Sequence, residues 1–123
     1  MKIAIPVNSN TTASEVATSF GRAPFYLIHD DSLDSTQLRE NIAAHSAGGA
    51  GVLAAQIVVD SGAEVLLTPR CGQNAADVLK AAGIKLYKSL DNLSAMDNIK
   101  AFEEGRLTQL SEIHKGLHGQ AGE

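Results

Sequence analysis

Val65-Leu66-Leu67 is a run of aliphatic residues with no polar alternation, standing between two segments of helical pattern. A strand reads this way when both of its faces are hidden, as happens where helices cover a parallel sheet. The preceding segment, 51–60, carries Val52, Leu53, Ala55, Ile57 and Val59 and reads as a mostly apolar helix stopped near Gly62. The following one, 74–82, sets Ala75, Val78, Leu79 and Ala82 on one face, with Gly83 placed to close it in a left-handed conformation. A last short strand follows at 84–87. Strands joined through helices lie parallel, with right-handed connections.

The first forty residues have a different rhythm. Ile3, Ala4, Ile5 and Val7 make a buried first strand, and Phe25-Tyr26-Leu27-Ile28-His29 a second. Asp30, Asp31 and Asp34 supply turn chemistry, since short acidic side chains hydrogen-bond the local backbone. A more polar strand at 37–42 returns antiparallel as an edge. Ser94 suits the N-cap of a final helix that spaces Met96, Ile99 and Phe102 along one side and ends at Gly105. The predicted architecture is α/β: a mixed five-stranded sheet with helices on its faces, one domain over 1–110, and a flexible tail over 111–123.

Composition removes several function classes. Aromatics are 4% and Trp is absent, so the core is aliphatic and stacking platforms for single-stranded nucleic acid are not expected. The net charge of −4 argues against a phosphate-backbone footprint, and any anion has to be captured locally against the overall sign. A single cysteine, Cys71, cannot close an internal disulfide, which fits a reducing, cytoplasmic compartment. The opening residues lack a signal-peptide h-region, and no apolar stretch is long enough to span a membrane.

Three turns carry the chemistry. Ser19-Phe20-Gly21-Arg22-Ala23-Pro24 joins a permissive glycine to a guanidinium fork suited to an oxyanion or sulfide. A plain turn with a solvated arginine satisfies the same residues. His45 through Gly48-Gly49-Ala50-Gly51 leads into the first helix, where small residues let backbone N–H groups approach a ligand and the helix dipole favours negative charge. It matches neither the dinucleotide fingerprint nor a Walker loop. Glycine-rich flexibility before a helix, with an exposed histidine, is the blander alternative. Arg70-Cys71-Gly72-Gln73-Asn74 follows the apolar strand, at the strand end where open α/β sheets bind ligands. A thiol beside Arg70 at a helix N-terminus is expected to have a lowered pKa, and its thiolate is a soft ligand for copper(I). The alternative is a small buried hydrophobe.

Other constellations fail. The residue where a cysteine phosphatase loop needs its arginine is Asp77, and one cysteine makes no cysteine-rich metal site. His114 and His118 have chelating spacing but enclose Gly116, and Asp30, Asp31 and Asp34 read as turn residues.

At these turns the sequence resembles the nitrogenase iron–molybdenum cofactor biosynthesis accessory family. The likeness runs through Lys2-Ile3-Ala4-Ile5-Pro6-Val7, Phe20-Gly21-Arg22-Ala23-Pro24-Phe25-Tyr26-Leu27-Ile28, Asn41 with His45 and Gly48-Gly49-Ala50-Gly51, then Ala82-Gly83-Ile84-Lys85-Leu86-Tyr87 and Gly105-Arg106-Leu107. It implies a ribonuclease-H-like three-layer fold and a non-catalytic protein that binds, carries or helps assemble a metal–sulfur cluster. The chain looks similar to the orange-protein branch of sulfate-reducing bacteria, which implies a molybdenum–copper sulfide cluster held non-covalently. An iron–molybdenum–sulfur cluster or its precursor is the alternative cargo. The implied contacts are Asn8, the Ser19–Arg22 turn, His45 with Gly48 and Gly49, and Arg70, Cys71, Gly72 and Asn74, with Cys71 as the one candidate metal ligand. Two departures stand out: Ser19 occupies a position where many relatives carry histidine, and the turn holding Cys71 often lacks cysteine. Asn8 stands where ribonuclease-H-like nucleases carry an acidic metal ligand, so nuclease chemistry is not implied. A protein–protein adaptor without metal is the competing reading, and neither nucleic acid nor membrane is expected as a partner.

Overall fold

The computed structural model describes residues 1–110; the segment 111–123, with His114 and His118, lies outside the described residues. Strand β1 (Lys2–Val7) is followed by β2 (Phe25–Asp30), β3 (Ser35–Glu40), α1 (Ala50–Asp60), β4 (Val65–Thr68), α2 (Gln73–Ala81), β5 (Lys85–Lys88) and α3 (Ala95–Glu103). The strands form one sheet in the order β3-β2-β1-β4-β5. β1 pairs antiparallel with β2, Ile5 opposite Leu27, and parallel with β4, Ala4 opposite Leu66. β4 in turn pairs parallel with β5. This is the mixed sheet expected from the two rhythms of the sequence.

Period-two alternation sorts the core into two halves. Ile3, Ile5 and Val7 join Leu27, Val65 and Leu67 against Ala95, Ile99 and Ala101 of α3. Ala4, Tyr26, Ile28, Leu66 and Leu86 face the other way, onto Ala54, Ala55 and Val58 of α1 and Ala75, Ala76 and Leu79 of α2. The result is three layers, with α1 and α2 on one face and α3 on the other. Each fully buried Leu or Ile contributes about 1.5–3 kcal/mol, so the aliphatic central strands dominate the cohesion. Tyr87 and Phe102 add an edge-on ring contact at 5.0 Å on the α3 side.

The helix ends follow local chemistry. Ser94 caps α3, its Oγ accepting from the Asp97 N–H at 3.1 Å. Gly62, Gly83 and Gly105 close the three helices with positive φ. Ala82, expected on the buried face of α2, is instead its exposed C-cap. The third strand also starts and stops two residues earlier than its pattern suggested, because Asn41 turns inward and Ile42 is 82% exposed. The outer edge of β5 is covered by the chain leaving α3: Lys88 N–H donates to Thr108 at 2.8 Å, and Leu110 N–H to Leu86 at 3.0 Å. No helix among the described residues is long and apolar enough to cross a membrane.

Candidate functional site

At the carboxyl end of β4, residues 18–22, 49–52 and 70–75 surround a cleft of about 540 Å³. Two of these segments are helix starts. Gly49, at φ +71°, precedes α1, and Gly72, in extended backbone, precedes α2. The first intrahelical bonds run from Leu53 N–H to Gly49 (3.0 Å) and from Ala76 N–H to Gly72 (2.9 Å). The amides before them have no intrahelical acceptor. Neither start has a side-chain cap or an acidic residue in its first turn. The contrast with α3 is informative, since Ser94 and Asp97 complete that helix start internally. Two positive dipole ends therefore converge on one cavity, with Arg22 and Arg70 among its lining residues.

The walls are held by buried polar contacts. Asn41, at the end of β3, is 3% exposed. Its Nδ2 donates to the carbonyls of Ala23 (2.8 Å) and Gly21 (3.0 Å) and to the Tyr26 hydroxyl (3.2 Å). The Tyr26 hydroxyl in turn donates to the Phe20 carbonyl. Arg22 reaches across to the next loop, its Nη1 donating to the carbonyls of Ala44 (2.9 Å) and Ser46 (3.1 Å). Arg22 thus both lines the cleft and ties its first loop to the connection that leads into α1.

Of the residues expected at the site, Ser19, Phe20, Gly21, Arg22, Gly49, Arg70, Cys71, Gly72 and Asn74 line this one cleft. Asn8, His45 and Gly48 do not. Asn8 is exposed, its N–H paired with the Glu15 carbonyl at 3.1 Å where the chain folds back on β1. His45 and Gly48 are exposed on the connection before α1. Ala50, Gly51 and Gln73, members of the same turns but not among the expected contacts, also line it, and so do Thr18, Val52 and Ala75, which the sequence reading leaves out of the site. Asn41 was met only as part of a family likeness, not as the residue that shapes the walls. Its signal is an Asn at the end of a strand, the residue type that opens an Asx-turn, here closed by Ala43 N–H onto Oδ1 at 3.0 Å.

The expectation of an activated Cys71 is overturned. Cys71 is 2% exposed and packs in the core with Phe20, Tyr26 and Ala76. It directly precedes the Gly72 N-cap, where an apolar side chain staples onto the fourth helical residue, here Ala76. Burial pushes its thiol up to about 12, far more than a helix start can lower it. Arg70, the neighbour expected to activate it, is exposed.

The geometry defines a class: a small three-layer α/β protein with a cleft between two helix starts. Residues 1–105 match the family model for the dinitrogenase iron-molybdenum cofactor, and the chain belongs to that family. Among solved structures it is similar to the apo form of the orange protein from Desulfovibrio gigas. The TM-score is 0.87 at 30% identity, over 93% of this chain and 96% of that one. It is also similar to a Thermotoga protein of the DUF35 family, provisionally described as a NifB protein. There the TM-score is 0.79 at 32% identity, over 94% of this chain and 97% of that one. No curated protein sequence matches the chain.

Proposed function

We propose that this protein binds and carries a preassembled anionic metal–sulfur cluster in the cleft between the α1 and α2 N-termini. The observation that carries the reading is the convergence of two helix starts lacking side-chain caps on a cavity with Arg22 and Arg70 in its lining. A helix N-terminus stabilises a nearby negative charge by about 0.3–1 kcal/mol, and by up to about 2 when partly buried. Two of them with two guanidinium groups make a local positive field inside a chain of net charge −4.

The donor set favours a cluster over a bare ion. Among the described residues, no three His, Cys, Asp or Glu side chains are grouped to hold a metal. The one thiol is protonated and buried. Such a site suits a ligand that brings its own metal–sulfide bonds and needs only N–H donors around its charged surface. Family membership and the likeness to the orange protein support a molybdenum–copper sulfide cluster as the cargo. An iron–molybdenum–sulfur cluster or precursor would meet the same donors. The role is binding and carriage, and no catalytic step is proposed.

Anaerobic addition of tetrathiomolybdate with copper(I), followed by desalting, tests this directly. Visible charge-transfer absorption should co-elute with protein at fixed stoichiometry, and elemental analysis should find both metals. Colour that passes entirely into the small-molecule fraction overturns the reading.

A further inference from the structure

We propose that Asn41 is the positioning residue of the cleft, one buried amide that ties the cleft loop before β2 to the connection leading into α1, so that an anion meets donors already in place. Its polar atoms divide between the two loops. Nδ2 serves the carbonyls of Gly21 and Ala23 and the Tyr26 hydroxyl, while the backbone N–H reaches Pro24 at 2.9 Å. On the other side, Oδ1 accepts from Ala43 N–H at 3.0 Å and the backbone carbonyl from Ala44 N–H at 3.1 Å. Arg22 closes the circuit from the outside through Ala44 and Ser46. Asn41 itself is outside the cleft lining, so it acts through the loops and not on the ligand.

Only a side chain that carries its donor and its acceptor on separate atoms, at the reach of this amide, serves the two loops at once, which the single short hydroxyl of a serine does not. An Asp there turns an oxygen toward three oxygens, and a Leu strands buried carbonyls. Donors fixed in advance need no ordering when ligand arrives, which is where such a residue gains affinity. The fold supplies its own control. Asn98 is fully buried, with Oδ1 accepting from Leu90 N–H at 2.7 Å and Nδ2 facing the carbonyls of Leu90, Leu93 and Ser94. It holds a loop that does not line this cleft.

The ligand arm of the test rests on the proposed cargo; the exchange arm does not. Full-length Asn41→Ser and Asn98→Ser are compared with wild type by amide hydrogen exchange and by tetrathiomolybdate dissociation. Both variants should lose stability. Only Asn41→Ser should speed exchange at Ala43 and Ala44 selectively and raise the dissociation rate by about tenfold or more. Wild-type exchange and dissociation in Asn41→Ser overturn the proposal, as does equal acceleration of dissociation in Asn98→Ser. Should Asn41→Ser not fold, Tyr26→Phe removes only the hydroxyl between Phe20 and Asn41. It should show the same selective effects at smaller amplitude, and wild-type behaviour there overturns the proposal equally. If wild type itself fails to retain tetrathiomolybdate, the cargo reading falls and the exchange comparison alone decides the role of Asn41.

Discussion

Gly21 and Gly51 meet backbone to backbone: a Cβ at position 21 would lie 3.1 Å from the Gly51 Cα and 3.2 Å from its nitrogen. Gly21 comes from the first cleft loop and Gly51 from the first turn of α1. The contact therefore sets how closely that loop approaches the helix start. The crowding is at position 21, whose near neighbours are all backbone of Ala50 and Gly51, whereas a Cβ on Gly51 would meet only the Ala75 Cβ at an ordinary 3.4 Å.

Gly21→Ala should accordingly cost about 1–3 kcal/mol by overpacking and should weaken tetrathiomolybdate retention with it. Gly48→Ala is the matched control, with open space around its Cβ and no positive φ. It should change both quantities little. Thermal unfolding and desalting retention of the two variants decide the point.

Gly72→Asp should separate stability from binding. Gly72 has N-cap geometry and open space around it, so the carboxylate can cap α2 and raise stability by a few tenths of a kcal/mol. The same carboxylate puts negative charge into the cleft and should abolish anion retention. Gly72→Asn should stabilise comparably with a milder loss of binding, so the difference between the two reads the charge alone.

Arg22→Ala removes two hydrogen bonds made by an exposed side chain, and its effect on stability should stay within about 1 kcal/mol. Retention of the dianion should fall well beyond that. Arg22→Lys should restore little, since an ammonium cannot span two carbonyls and a ligand as a planar fork does. Equilibrium binding at low and high ionic strength measures the effect, which salt should screen.

Cys71 gives a prediction with a definite sign. The folded chain keeps the thiol proton up to about pH 12, whereas an unperturbed thiol releases it near 9.0. Between those values the unfolded state binds fewer protons, so stability should decline as pH rises, by about 1.4 kcal/mol per unit at most from this group. Native protein at pH 8 should react with a thiol reagent about a hundredfold or more slower than unfolded chain. Cys71→Ser should load cluster as wild type does. Alkaline denaturation curves and reagent kinetics check the first two, and metal content checks the third.

How much of this was legible beforehand depends on the kind of signal. Val65-Leu66-Leu67 and the alternation of Ile3, Ile5 and Val7 declare buried strands because period and burial are written residue by residue. Ser94, Gly83 and Gly105 declare helix ends because capping is local. The cleft was only partly legible. Its three turns were visible, but their convergence depends on strand order, which places β4 beside β1. Cys71 was misread because the sequence shows an arginine neighbour and a helix start without showing which way the side chain turns. Asn41 enters only through the family likeness, and its role exists only once β3 sits beside the loop it holds.

The cleft draws on residues 18–22, 49–52 and 70–75, which no single hairpin or helix brings together. No single element of the chain holds the whole cleft, so a ligand bound there is thermodynamically linked to tertiary structure. Each tenfold of free ligand above its dissociation constant adds about 1.4 kcal/mol to the unfolding free energy. A cluster carrier built this way reports its own integrity: the loaded molecule resists unfolding, and one that unfolds surrenders its cluster in the same step.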